Sequence, residues 1–180
     1  MTKILNIFGG PGCGKSTTAA GLFSLMKLDG YNVELVTEAA KDHVWDESFF
    51  VLENQLLITA QQNHRLRRLV DKVDYVITDS PLLLGALYAT KEFDTGWYRE
   101  FIEHLYEMYD NIEIKLNRVK PYTSVGRLQT EDEAIKIDFI ITDMLLSRNN
   151  IFKVVDGNES APKNILEFIN LITNKKLYLQ

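Results

Sequence analysis

The sequence predicts an α/β fold: a five-stranded, mainly parallel sheet with helices on both faces, layered as a three-layer sandwich. Three observations carry this expectation. Short apolar runs alternate with helix-forming runs along the chain. The first apolar run leads at once into a glycine-rich turn, Gly9-Gly10-Pro11-Gly12-Cys13-Gly14-Lys15-Ser16, with a helix-forming run behind it. At 180 residues and 46% apolar composition, the chain suits one domain spanning residues 1–180 with a sizeable core.

Taken in order, Lys3-Ile4-Leu5-Asn6-Ile7-Phe8 reads as a buried first strand. Residues 15–27 read as the first helix, with Gly30 placed to end it. Residues 33–37 alternate in the manner of a second strand. Thr37 is the expected N-cap of a short helix opening Glu38-Ala39-Ala40-Lys41, and a polar stretch follows over residues 42–48. Within that stretch Trp45 reads either as a core aromatic or as a stacking surface for a planar ring.

One long helix is expected over residues 49–72. Leu52, Leu56, Leu66 and Leu69 form its apolar stripe, and Gln55, Thr59, Gln62 and Arg65 lie between them. Residues 73–78 read as a third strand closed by Asp79, and Ser80-Pro81 as a helix start running to about residue 90. Further helices are expected over residues 97–109 and 130–148, the latter opened by the capping box Thr130-Glu131-Asp132-Glu133. Residues 112–116 and 151–155 supply strands four and five, and a closing helix covers residues 160–173. The polar segment 117–129, with Arg118, Lys120, Gly126 and Arg127, is long for a connection and reads as a lid.

The glycine-rich turn fits the phosphate-loop pattern G-x-x-x-x-G-K-[ST] in its proper setting of strand, turn and helix. Glycines let successive backbone N–H groups face one centre, and the helix N-terminus adds unpaired donors and a partial positive charge. Gly10, Gly12, Cys13, Gly14, Lys15, Ser16 and Thr17 are therefore the expected nucleotide contacts. Lys15 would reach the terminal phosphates, and the Ser16 hydroxyl would sit on Mg²⁺.

Asp79, at the carboxyl end of a strand, is the expected Mg²⁺-ordering acid and a candidate to orient an acceptor hydroxyl. Glu38 occupies the matching place after strand two. Arg127 is the lid cation expected over the transferring phosphoryl group. A thiol at a helix N-terminus tends toward a lowered pKa, which leaves Cys13 open as a redox group or as a small loop filler.

Composition narrows the partners. The formal net charge of −5 gives no basic footprint for a nucleic-acid backbone and favours a small-molecule substrate. No run approaches the apolar length of a membrane span. The single cysteine allows no internal disulfide, and the first strand starts within a few residues of Met1; both fit a cytoplasmic protein. No Cys/His cluster has zinc-ligand spacing.

The layout resembles the NadR-type (ribosylnicotinamide kinase-like) P-loop AAA/kinase family, which includes small phage and bacterial ATPases. The resemblance runs through residues 9–17, the Thr37-Glu38-Ala39-Ala40 turn, Val76-Ile77-Thr78-Asp79, Val125-Gly126-Arg127 and residues 150–156. It implies a P-loop NTPase fold, with nucleotide contacts at Gly12, Gly14, Lys15, Ser16 and Thr17. It also implies acid roles at Asp79 and Glu38 and a lid arginine at Arg127. The expected activity is ATP- and Mg²⁺-dependent phosphorylation of a small hydroxyl-bearing molecule: a nucleoside, a nucleotide or nicotinamide riboside. The alternatives are a regulatory NTP-binding module and a kinase acting on a modified base in DNA.

Overall fold

The computed structural model describes residues 1–123, 130–148 and 150–177. Five strands form one sheet in the order β2-β3-β1-β4-β5, where β1 is Lys3–Phe8, β2 Val33–Val36, β3 Tyr75–Thr78, β4 Asp110–Asn117 and β5 Lys153–Asp156. The helices are α1 (Lys15–Leu28), α2 (Ala40–Trp45), α3 (Phe49–Leu52), α4 (Gln55–Arg67), α5 (Leu84–Leu87), α6 (Gly96–Glu107), α7 (Glu131–Ser147) and α8 (Ala161–Leu177). The expected α/β architecture and its five strands are present. No described helix is long and apolar enough to cross a membrane.

The chain divides into two compact units, one of residues 1–6 and 32–112, the other of residues 7–31 and 113–180. In the first, β3 pairs in parallel with β1 on one side and β2 on the other, Lys3 opposite Tyr75 and Val33 opposite Tyr75. All four residues of β3 are buried. A strand covered on both faces must be apolar throughout, which is why Tyr75-Val76-Ile77 reads as a continuous run.

Helical structure in this unit departs from expectation in four places. The single helix expected over residues 49–72 is two helices, broken at Glu53-Asn54, where the Asn54 side chain accepts a hydrogen bond from Leu57 N–H at 3.1 Å and caps α4. Asparagine competes with its own backbone inside a helix and favours this start position. The face of α4 that turns inward is the polar one. Gln55, Thr59, Gln62 and Leu66 are buried, whereas Leu56 and Leu57 are about two-fifths exposed. Ser80-Pro81 opens no long helix. Only the single turn α5 forms, with Leu83 rather than Ser80 before it.

Thr37 likewise does not cap α2, which starts after Ala39 without a side-chain cap. Trp45 ends α2 at the surface, 78% exposed, so it is no core residue; Trp97 on α6 is 52% exposed.

In the second unit β4 pairs in parallel with β5, Ile114 opposite Lys153, and α1 packs against α8. Helix α1 stops as its sequence predicts. Gly30 takes φ +82°, its N–H bonds to Lys27 O at 3.1 Å, and Tyr31 N–H bonds to Met26 O at 2.9 Å. These two bonds define a Schellman ending, which needs a left-handed residue. The capping box of α7 also forms: Glu133 N–H donates to Thr130 Oγ1 at 3.3 Å, and Thr130 N–H donates to Glu133 Oε2 at 2.7 Å.

Gly21 of α1 sits where a Cβ would lie 2.8 Å from Pro162 Cγ of α8. Gly21→Val should overpack this helix contact and destabilise the protein by about 1–3 kcal/mol. A urea titration followed by circular dichroism checks it, through a lowered midpoint at unchanged slope.

Candidate active site

The phosphate-loop sequence adopts the backbone it requires. Gly12 and Gly14 have φ +83° and +91°, a left-handed conformation that side chains resist. Gly14 precedes α1 without a side-chain cap. The first helical turn therefore presents N–H groups that have no partner within the helix. Thr18 N–H makes the first helical bond, to Gly14 O at 2.9 Å. The Lys15 ammonium donates to Gly10 O at 3.2 Å, which holds the cation across the loop. Ser16 and Thr17 are exposed, and Gly10 and Cys13 are buried.

Three neighbouring elements of the same unit hold the loop. From α7, Asp138 Oδ1 accepts from Gly10 N–H at 2.7 Å and from the Cys13 thiol at 3.1 Å. The approach is close enough that a Cβ on Gly10 would meet Asp138 Oδ1 at 2.6 Å and Ala134 O at 2.8 Å. Just after β4, Arg118 Nε donates to Asp138 Oδ2 at 2.7 Å and Arg118 Nη2 to Pro11 O at 2.8 Å. Just after β5, Gly157 N–H donates to Asn117 O at 2.9 Å, and a Cβ on Gly157 would stand 2.3 Å from Cys13 O. Glycine is required there by space.

This setting reverses the expectation for the thiol. Burial, together with the hydrogen bond and negative charge of Asp138, pushes the Cys13 pKa up to about 11 against the opposing charges of Arg118 and Lys15. A neutral thiol is a poor nucleophile, and Cys13 acts here as a packed, hydrogen-bonded part of the loop.

Beside the loop, the ends of β4 and β5 and helix α7 border an open depression of about 550 Å³. Asn117, Arg118, Val119, Ile135, Asp138, Phe139 and Asp156 line it. Its volume falls in the range of small-molecule sites, and its lining combines three apolar side chains with four polar or charged ones.

In the first unit, Asp79 follows β3 and is 5% exposed. Its Oδ1 is buried without a hydrogen-bond partner among the described residues. A buried carboxylate oxygen in that state is costly unless a ligand or cation completes it. The turn beneath it is fixed: Ser80 N–H donates to Thr78 Oγ1 at 3.1 Å, and Gln62 Nε2 reaches the same oxygen at 3.4 Å. Gln62 Oε1 also accepts from Ala39 N–H at 2.9 Å, directly after half-buried Glu38. Arg65 Nη1 donates to Thr37 O at 3.3 Å, and the same guanidinium pairs with Asp42. The inward polar face of α4 thus fastens the turns that carry Glu38 and Asp79.

A second open depression of about 490 Å³ lies near α2 and α4, lined by Asp42, His43, Asp46, Ala60, Gln61, His64 and Arg65. His43 Nε2 is engaged by Gln61 Oε1 at 2.7 Å. Among the described residues no group of three His, Cys, Asp or Glu side chains is arranged to hold a metal ion.

The structure places the phosphate loop between β1 and α1, and Glu38 and Asp79 just after β2 and β3, where the sequence put them. Sequence reasoning missed Asp138, whose one signal is a lone acid inside the apolar run Ile135 to Ile141. It also missed Gly157, which follows Asp156 in a commonplace Asp-Gly turn, and Gln62, which carries no motif. Arg127, with residues 124–129 of the expected lid, lies outside the described residues.

A family model described as an AAA domain matches residues 4–161. No curated protein matches the chain. Among solved structures, deoxyadenosine kinase from M. mycoides, solved with the products dCMP and a flexible dCDP, is similar in fold. Its TM-score is 0.57 at 16% identity, over 93% of this chain and 98% of the kinase.

Because Gly157 meets backbone rather than a movable side chain, Gly157→Ala should displace the turn that supports Cys13 and weaken nucleotide binding about tenfold or more. Titration with a fluorescent ATP analogue checks this, with a thermal melt to confirm folding.

Proposed function

The chain belongs to the AAA domain family, and from that premise we propose that it is an ATP- and Mg²⁺-dependent kinase of a small hydroxyl-bearing molecule. Nucleosides are the leading acceptor class, with nucleotides and nicotinamide riboside beside them. The observation that carries the reading from nucleotide binding to phosphoryl transfer is Asp79. It is a strand-end acid held nearly out of water with one oxygen unsatisfied among the described residues. The fold likeness to a deoxyadenosine kinase supports the choice of acceptor.

In this reading the N–H groups from Gly12 to Thr17 bind the phosphates, and Lys15 leaves the Gly10 carbonyl to neutralise their terminal charge. Ser16 and Asp79 are assigned to Mg²⁺, whose oxygen-seeking chemistry suits a hydroxyl and a carboxylate. When bound, the ion supplies charge neutralisation on the phosphate oxygens. Asp79 or Glu38 orients the acceptor hydroxyl and takes its proton as the oxygen attacks in line with the leaving diphosphate. Arg127 keeps its sequence-based role as the cation that meets charge developing on the transferred group. The depression beside Arg118 and Phe139 is assigned to the nucleobase of the donor, where a planar ring can lie against apolar side chains.

The test is ADP release by the purified protein against a panel of nucleosides, mononucleotides and nicotinamide riboside, with product identity confirmed by mass spectrometry. Acceptor-dependent ADP release is expected. Nucleotide binding without any phosphorylated acceptor would overturn the kinase reading.

Two variants divide the roles. Lys15→Ala should abolish transfer while leaving the thermal melt unchanged, because it removes a phosphate cation and no core packing. Asp79→Asn keeps the shape and removes the charge, and should lower kcat on the order of 10²-fold or more at saturating Mg²⁺. An unaltered kcat in Asp79→Asn would reduce this residue to a structural turn.

A further inference from the structure

We propose that Asp138 and Arg118 form a positioning pair for the phosphate loop, through which one guanidinium N–H is offered to a phosphate oxygen of the bound nucleotide. The inference rests on the nucleotide reading of the loop and names residues that neither the motif nor the family match assigns.

The carboxylate of Asp138 is shared between two tasks. Oδ1 receives the Gly10 N–H and the Cys13 thiol, so two of the loop's early residues are pinned to α7 by one atom. Oδ2 receives Arg118 Nε, which fixes the plane of the guanidinium. Both side chains are largely buried, at 13% and 15% exposure, so the pair is little screened by solvent.

With its plane fixed, Arg118 has its other nitrogens committed to direction. Nη2 donates to Pro11 O at 2.8 Å, a second hold on the loop. Nη1 is buried and has no hydrogen-bond partner among the described residues. It lies 3.2 Å from where a Gly12 Cβ would stand, within the motif that the nucleotide reading assigns to phosphate. A buried guanidinium N–H without an acceptor is unfavourable, and an anionic oxygen is the partner that best relieves it. The Tyr122 ring, 5.9 Å from the guanidinium carbon, further limits its swing.

An aspartate beside a phosphate site is repulsive unless it is neutralised. Here Arg118 neutralises it, so the loop gains a rigid anchor without an open negative charge. Losing either partner should therefore do more than loosen packing. Without Asp138 the guanidinium loses its orientation, and without Arg118 the carboxylate faces the phosphates uncompensated.

Two readouts test the pair. The first is Cys13, faced by Asp138, Arg118 and Lys15. In Asp138→Asn, the pH profile of Cys13 alkylation by iodoacetamide, followed by mass spectrometry, should move down from about 11. Burial should still hold it above the ordinary value of 9.0. The second is the ATP dissociation constant, expected to rise about tenfold in Asp138→Asn and in Arg118→Ala, with the double variant no weaker than Arg118→Ala alone. Arg118→Lys should not restore binding, because an ammonium cannot engage Asp138, Pro11 and a phosphate in three fixed directions.

A shifted Cys13 profile with ATP affinity within twofold of wild type would overturn the proposal. So would additive losses in the double variant, or full rescue by lysine. If Asp138→Asn does not fold, Arg118→Lys alone decides: wild-type affinity overturns the pair and weakened affinity supports it. Failure of the wild-type protein to bind any nucleotide would sink the functional reading instead. The pair would then be judged on the Cys13 profile, overturned if unchanged and supported as the loop's anchor if shifted.

Discussion

A phosphate loop works by aiming several backbone N–H groups at one point, and that arrangement is unstable without help. Left-handed residues at Gly12 and Gly14 and an uncapped helix start leave donors turned outward rather than into a ladder. Much of the second unit answers this constraint. Asp138 ties down Gly10 and Cys13, Arg118 ties down Pro11, and the turn at Gly157 presses against the Cys13 carbonyl. Each hold is made from a different element, so the loop's geometry is over-determined rather than left to its own preferences.

The first unit solves a different problem with the same economy. Strand ends that carry acids must be held in position, and the turns after β2 and β3 take side-chain hydrogen bonds from outside themselves. Helix α4 supplies them by burying amides and a hydroxyl. Gln62 joins Ala39 to Thr78, and Thr59 shares a 2.8 Å hydrogen bond with the Tyr98 hydroxyl, which also donates to Gln55 O. Apolar side chains in those places would have given more hydrophobic stabilisation, but a packed methyl group fixes position less sharply than a bond with direction.

Features written in a few adjacent residues were legible in the sequence. The β1 run, the phosphate loop, the Gly30 ending of α1 and the Thr130 capping box each depend on chemistry within one turn of chain. Features decided by distant partners were not. Leu56 fits the expected apolar stripe, yet Thr59 and Gln62 take the inner face beside Leu66 because Tyr98, Ala39 and Thr78 offer them partners. Ser80-Pro81 has the right residues for a helix start, but the chain after it closes tighter i→i+3 turns, Leu84 N–H to Pro81 O and Gly85 N–H to Leu82 O, and makes only one helical turn. Asp138 is invisible for the same reason: its value comes from Gly10, Cys13 and Arg118, none of which lies near it in sequence.

The surface position of Trp45 has an optical consequence. The chain has two tryptophans, and both stand in contact with water, at 78% and 52% exposure. Trp97 also leans on the rings of Phe93 and Tyr98, with centroids 6.4 and 5.7 Å away. An indole already wet in the native state emits at wavelengths close to those of the denatured chain. Intrinsic fluorescence of this protein is therefore a weak reporter of its core and a sensitive one of whatever touches the end of α2.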